Sequence, residues 1–473
     1  MSIAFVNFFK KIFINKSVIG IEKFCKIVYY IINYIYLKEK SLMNDIKYTK
    51  TDNRIDIYTY ATDKFKSENI SIYFALPTSK TESVKRSLLL SVLKRGTEKY
   101  PTQKDINERL DELYATLVNL KNQKFDNTQL LGVSADVIYS SYTENGEDLM
   151  KDALEVIEQM FYHPRVDEKT GVFCEEFVNS EKENYKSIIL SQINEPRTYA
   201  AIRCREEMFS SLGIVDNLDT MCEKIDAVNA TELYECYADI VKNSKILVFY
   251  VGKRSPLEIE QLVKEAFSTN NVNLIENNNA KKLLDNLEIP NEVIETSDLS
   301  QGRLIMGFNC GVTWNDNDYY AMLLCNEIFG ASPLSKLFMN VREKLSLCYE
   351  CSSIYNSARG AIFATTGIDC ENYEMAKSAI LSQLEDIQNG KISEKEFSAA
   401  KKSIFNVYSA LADSPNAIER FYLGRIINGI DVDIDDFLYL LEKLTIDDIV
   451  RAAQKLKLHT VYFLRGEEEE SYE

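Results

Sequence analysis

Histidine is nearly absent from this chain, with two in 473 residues, His163 and His459. A metal site built from imidazoles cannot come from that supply, and few bases remain for hydrolytic chemistry. Proline and glycine are scarce as well, at eight and seventeen, which argues against long low-complexity linkers. No Gly-rich phosphate loop, G-x-S-x-G elbow or Cys/His pairing is visible, so phosphoryl transfer and nucleophilic triads have no carrier. Basic charge is outnumbered: 55 Lys and Arg against 72 Asp and Glu give a net of −17 and a pI near 4.9. With no basic stripe to offset it, that balance excludes nucleic acid as a partner.

Ten cysteines are scattered without the rhythm of a zinc ribbon or a disulfide framework. Cys348-Tyr349-Glu350-Cys351 has C-x-x-C spacing but no second pair. Metal or redox work is therefore the minor reading, and ordinary reduced thiols in a cytoplasm the major one. His163 precedes Pro164 at the end of a helical pattern, where a capping or surface role is expected.

Residues 1–42 carry seven Lys and two Glu, a net of +5 that leaves −22 for the remainder. Their apolar stretch, Ile27 to Leu37, is bounded by Lys26 and Lys38 and falls short of the ~20 residues needed to cross a bilayer. No small-residue cleavage site of a secretory signal follows it. A basic aromatic segment of this kind can lie on a membrane surface. The plainer reading is translated A+T-rich upstream DNA, with Met43 as the expected start.

After Met43 the pattern runs through one programme twice. In the first half, Ile55–Tyr60 and Ile70–Ala75 alternate as strands. Ser79-Lys80-Thr81-Glu82 reads as a capping box opening a helix through Arg95, with Gly96 as its terminator. A helix is expected near Gln103–Leu117, strands around Gln129–Val137, an amphipathic helix over Asp148–Phe161 and a strand over Ile246–Gly252. In the second half, strands are expected at Arg303–Phe308, Gly360–Gly367 and Thr460–Gly466. Helices are expected at Asp318–Phe329, ending at Gly330, and at Ser335–Leu345 and Tyr373–Gln388. A repeat of about 220 residues is a domain duplication, not a solenoid. The expected fold class is α+β, with two homologous domains of antiparallel sheet and helices. Their expected limits are 43–269 and 291–466, joined by a linker at 270–290 and followed by a solvated acidic tail at 467–473.

Ser87-Leu88-Leu89-Leu90-Ser91 lies inside the first expected helix, directly before Leu93-Lys94-Arg95-Gly96-Thr97-Glu98-Lys99-Tyr100-Pro101. In the second half, Phe329-Gly330-Ala331-Ser332-Pro333-Leu334-Ser335-Lys336-Leu337-Phe338 is followed by Arg342-Glu343-Lys344-Leu345-Ser346-Leu347-Cys348-Tyr349. Together with the duplication, these runs resemble the M16 (pitrilysin, insulinase, mitochondrial processing peptidase) family over roughly Met43 to Gly466. The resemblance is strongest to its catalytically degenerate bacterial branch, associated with 5-aminopentanol modification of elongation factor P.

That resemblance implies where a zinc peptidase's His-x-x-Glu-His would fall. Two His at i and i+4 with Glu between them would share one helix face and supply two ligands and the base. Here Ser87 and Ser91 stand at the His positions and Leu90 at the base. The family's downstream Glu ligand aligns near Ile188, with Glu183 as the alternative. Hydroxyls are poor zinc ligands and Leu90 moves no proton, so no metal, no cofactor and no catalytic residue is expected.

The resemblance also implies that Arg342 and Tyr349, seven apart, reach peptide substrate. Against this stands a structural use, with Arg342 paired to a carboxylate such as Glu350 and Tyr349 packed. The leading expectation is a non-catalytic subunit paired with an active M16 peptidase. The alternative is a stand-alone module that binds peptide or protein without hydrolysis.

Overall fold

The computed structural model describes residues 46–50, 54–125, 127–213, 215–267 and 283–466. The N-terminal extension, most of the expected linker and the acidic tail lie outside the described residues. From Lys47 onward the chain is one compact unit.

The first half runs β1 Ile46–Lys50, β2 Ile55–Ala61, β3 Ser67–Pro77, α1 Ser83–Leu93, α2 Gln103–Glu112, β4 Leu117–Phe125 and β5 Thr128–Ile138. It continues with α3 Met150–Tyr162, α4 Glu175–Ile193, α5 Pro196–Phe209, α6 Met221–Ala227, α7 Ala230–Asn243, β6 Lys245–Gly252 and α8 Pro256–Ala266. The second half has β7 Asn291–Ser297, β8 Gly302–Asn309, α9 Tyr319–Asn326, β9 Cys348–Asn356 and β10 Ala361–Ile368. It ends with α10 Tyr373–Gln388, α11 Glu394–Ser409, α12 Pro415–Ile427, α13 Ile434–Glu442, α14 Ile446–Ala453 and β11 Lys457–Gly466. Two π-helical segments, Glu327–Ala331 and Leu337–Lys344, lie between α9 and β9.

The two sheets have the orders β1-β2-β6-β3-β5-β4 and β7-β11-β8-β10-β9. With β1 set aside, these are one topology used twice. In each half the last strand inserts between the first two. It runs parallel to the first, with Ile55 opposite Ile246 and Asn291 opposite Thr460. It runs antiparallel to the second. The fold is thus the expected duplicated α+β architecture, with one parallel pair in each otherwise antiparallel sheet. Among the described residues no helix is long and apolar enough to cross a membrane.

Local chemistry explains several boundaries that the pattern misplaced. Helix α2 stops at Glu112 instead of reaching Leu117, because Tyr114 and Ala115 adopt φ of 56° and 57° and turn the chain into β4. The Ser79–Glu82 box is half made. Ser79 Oγ accepts from the Glu82 amide at 3.2 Å, but the Glu82 carboxylate goes forward to Lys85 at 3.0 Å. Gly96 is no left-handed cap: a side chain there would put Cβ 2.3 Å from the Pro101 carbonyl oxygen. The helix expected to end at Gly330 continues through it in π-helical form. Gly330 is required because a Cβ would come within 2.6 Å of the Ser353 amide on β9.

Strand β3 shows how the halves join. Ile70, Ile72, Phe74 and Leu76 point into a core shared with Leu88, Leu89, Ile157 and Met160 of α1 and α3. The other face carries Asn69, Ser71 and Tyr73, all buried. A buried polar face must find partners. Asn69 finds Asp136 of β5 at 2.8 Å, and α12 of the second half supplies the rest: Tyr73 donates to Glu419 Oε1 at 2.8 Å, and Lys121 of β4 lies 3.8 Å from Glu419 and 2.7 Å from Asn416 Oδ1. Helix α5 of the first half covers the second sheet in return. Ala200, Cys204, Met208 and Phe209 pack on Ile305, Ala361, Phe363, Tyr462 and Leu464.

Burial pushes the Glu419 carboxyl up, and Lys121 and the Tyr73 hydroxyl only partly oppose this. A raised folded pKa means that the folded state holds a proton the unfolded chain has released. Stability is therefore full below the unfolded carboxylate range and falls as pH rises toward the folded value, by up to about 1.4 kcal/mol per pH unit. Glu419→Gln is expected to remove that loss while keeping the bond from Tyr73. Urea unfolding from pH 4 upward checks it, and an unchanged pH slope would contradict it.

Candidate functional site

Helix α1 is amphipathic because Val84, Leu88, Leu89, Val92 and Leu93 bury toward the core. Leu90 is buried with them at 4% exposure, while Ser87 and Ser91 stay half-buried. The Ser87 hydroxyl donates to the Ser83 carbonyl at 2.9 Å and accepts from Asn122 Nδ2 of β4 at 3.3 Å. Asn122 in turn accepts from Gln129, whose other amide atom accepts from buried Arg86 at 2.9 Å. The five-residue run is therefore built into neutral hydrogen bonds and apolar core.

The segment after α1 is rigidly tied. Thr97 N donates to the Tyr100 carbonyl at 2.7 Å, and Tyr100 N donates to Thr97 Oγ1 at 2.8 Å. The far side is braced by the end of α3. Glu98 N donates to the His163 carbonyl, Arg165 N to the Gly96 carbonyl, and Arg165 Nη1 to the Pro101 carbonyl. His163 caps α3 and sets its ring 3.2 Å from Glu158 and 3.5 Å from Glu98, the expected capping role. His459 is buried beside Thr460 Oγ1, far along the chain in β11.

Helix α4 packs against α1. Arg95 pairs with Glu181, and its second guanidinium nitrogen donates to Ser180 Oγ at 2.8 Å. Ile188 lies seven residues beyond Glu181, on the same stripe of α4. Glu183 sits about 200° further round the helix, 72% exposed and paired with Lys186 at 2.7 Å. Ile188 shares the stripe of Glu181 and is itself 54% exposed. Ser87, Leu90, Ser91 and Ile188 do not fit zinc, offering two neutral hydroxyls and two alkyl groups. Among the described residues no cluster of three or more His, Cys, Asp or Glu is arranged to hold a metal.

In the second half, Arg342 sits in the π-helical segment Leu337–Lys344, its guanidinium 4.4 Å from the Phe338 ring centre and 3.5 Å from Glu343. It does not pair with Glu350, which instead meets Arg197 of α5 at 2.9 Å and Arg303 at 3.4 Å. Tyr349 does not pack. It is 83% exposed on the edge strand β9. The reason is a bulge: Gly367 is opposite Glu350 while Ile368 is opposite Cys348, leaving Tyr349 without a partner residue. Neither the bulge nor the Asn122–Ser87 bond had a signal in sequence, since both depend on cross-strand register.

Fold and site define a duplicated peptidase-type scaffold whose first helix lacks ligands and base. The comparisons with known proteins agree. Residues 227–404 match the family described as Peptidase M16 inactive domain. Over 430 residues the chain is 28% identical to the probable inactive metalloprotease YmfF of Bacillus subtilis (strain 168), covering 90% of this chain and 99% of that protein. A crystal structure of a conserved protein from Enterococcus faecalis V583 matches with a TM-score of 0.83 at 25% identity, covering 90% of this chain and all of that one. The peptidase M16 inactive domain structure from Pseudomonas fluorescens has the same fold, with a TM-score of 0.73 at 15% identity, over 90% of this chain and 99% of that one. The chain is thus similar over nine tenths of its length to a probable inactive metalloprotease, and over residues 227–404 to the M16 inactive domain.

Combining Ser87→His and Ser91→His with Ile188→Glu is expected to create three-ligand zinc binding at about one metal per chain. The two His substitutions alone are expected to bind none after dialysis. Elemental analysis decides, and stoichiometric zinc in the double variant would make Glu183 the facing residue instead.

Proposed function

We propose that this chain is the non-catalytic member of a cytoplasmic pair. It associates with an M16 zinc peptidase that retains His-x-x-Glu-His and helps hold that enzyme's peptide substrate through Arg342 and Tyr349. The domains that do this are taken as 43–269 and 291–466. The observation that carries the reading is Tyr349, a large aromatic side chain pushed into solvent by a bulge on an unpaired sheet edge, close in sequence to a half-exposed Arg342. Exposed aromatics and arginines are the side chains that anchor interfaces. An Arg offers several donors to peptide carbonyls, and a Tyr hydroxyl offers one more.

Association explains why the scaffold is intact while α1 has neither ligands nor base: a chamber wall needs shape and contacts, not a nucleophile. The nine described cysteines form no disulfide, which agrees with a reducing compartment. The resemblance to the degenerate bacterial branch also carries a link to 5-aminopentanol modification of elongation factor P. The intact mass of elongation factor P from cells lacking this chain tests that link.

The chain is expected to co-purify with an M16 homologue carrying the full motif and to raise its peptidase rate. Arg342→Ala or Tyr349→Ala is expected to weaken peptide binding by the pair about tenfold, a loss of about 1.4 kcal/mol. A homologue that works at full rate alone and never associates would overturn the pairing. If the isolated chain then still bound peptide, with Arg342→Ala weakening it, the stand-alone binding module would be the correct reading.

A further inference from the structure

Cys348 and Cys351 take no part in the function proposed above. Three positions apart on a regular strand, two side chains face opposite ways. The bulge at Tyr349 removes one residue from the alternation, so Cys348 falls on the same face as Cys351 and Ser353. The two thiols are therefore neighbours on one face, placed for a weak S–H···S bond, with Thr366 of β10 opposite Cys351. Cys351 is buried at 4% exposure and Cys348 is half-buried.

The pair is electrostatically uneven. The bond from Cys351 holds the Cys348 thiol well below its usual range, with further help from Thr366 and the Arg342 guanidinium, against burial and Glu350. The same bond, together with burial, drives Cys351 up. The half-buried Cys348 sulfur is thus the one a peroxide can reach, and the buried Cys351 sulfur lies behind it, the arrangement of an attacking and a resolving cysteine.

We propose that Cys348 and Cys351 form an oxidation site, where a peroxide converts the pair to an intramolecular disulfide beneath Tyr349. The Cys348 thiolate attacks one peroxide oxygen. An S–O bond forms, the O–O bond breaks, and hydroxide leaves and is protonated to water. The Cys351 sulfur then attacks the Cys348 sulfenic acid. An S–S bond forms, the S–O bond breaks, and a second water leaves with the Cys351 proton. Two thiols lose two electrons, and the peroxide gains them. The resulting bond spans the bulge and fixes the backbone that presents Tyr349. This chemistry stands whether or not Tyr349 meets peptide.

The test uses the full chain, reduced, freed of reductant and exposed to hydrogen peroxide, with intact mass and peptide mapping as readouts. The wild type is expected to lose the mass of two hydrogens at a Cys348–Cys351 link that dithiothreitol reverses. Cys351→Ser is expected to stop at a sulfenic acid on Cys348 that dimedone traps, and Cys348→Ser to give neither the link nor a comparable adduct on Cys351. The proposal is overturned if wild-type Cys348 and Cys351 stay reduced while other cysteines oxidise. It is also overturned if Cys351 in Cys348→Ser reacts as fast as Cys348 in Cys351→Ser. The wild-type map needs no variant, so a misfolded substitution leaves the test intact.

Discussion

Each sheet in this molecule has two faces, and neither half supplies enough helices to cover both of its own. The helices following each sheet's central strands pack on the inner face, as Leu88, Leu89, Ile157 and Met160 do under β3. The outer face is closed by the other half, with α12 over the first sheet and α5 over the second. Removing either half would expose a whole sheet face. The duplication is therefore more than a repeated pattern, because the two copies complete each other. The two covers differ in chemistry. The second sheet's face is apolar, and Gly307 leaves room there for the Met208 sulfur. The first sheet's face is polar, so its cover brings a carboxylate that is buried and must be satisfied by Tyr73 and Lys121. That asymmetry places a buried carboxyl with a raised pKa on one side of the junction, while Glu295 on the other side is held low, against burial, by Tyr199, Tyr462 and Arg203.

What was legible in sequence follows from this burial pattern. The central strands β3, β5, β6, β8, β10 and β11 carry dense apolar runs, and the expected segments lie inside them except for Gly360, which sits in the turn before β10. The edge strands did not announce themselves. Leu117–Phe125 and Asn291–Ser297 are half-exposed, with Asn, Gln, Lys and Glu at many positions, so periodicity alone reads them as loop. Turn chemistry misled at Gly96 and Gly330 for a shared reason. Both glycines are required by close backbone approach, to Pro101 in one case and to β9 in the other. A glycine after an apolar helical stretch looks like a terminator whichever of these it serves. Glu419 was invisible because its bonded partner Tyr73 lies 346 residues away in the chain.

The site was legible as an absence. Ser87, Leu90 and Ser91 were readable as a helix face without imidazole or carboxylate, and the structure adds what took their place. Ser87 joins a chain of neutral hydrogen bonds through Asn122 and Gln129, and Leu90 joins the core. A buried carboxylate at position 90 would cost free energy without a metal or a cation nearby. The packed helix is thus self-consistent: with no ligand on that face, an apolar residue at position 90 is the more stable choice. The expectation that Arg342 would use Glu350 failed for an equally physical reason. Glu350 lies where Arg197 reaches across from the first half, and that contact helps fasten the junction.

Stability and recognition therefore occupy different parts of this chain. Many residues that fasten the halves are buried, as Glu419, Tyr73 and Ala200 are, with the partly exposed Arg197–Glu350 pair reaching the start of β9. The most exposed aromatic of the second half, Tyr349, sits on β9, where the sheet ends and a bulge breaks its alternation. An unpaired edge ordinarily invites unwanted strand pairing, and a bulge is one way to blunt it. Here the same bulge turns Tyr349 outward and draws two thiols together underneath. One inserted residue thus sets both the exposure of Tyr349 and the face on which Cys348 lies. Because both depend on the same register shift, any substitution that restores regular pairing between β9 and β10 would bury the ring and separate the sulfurs together.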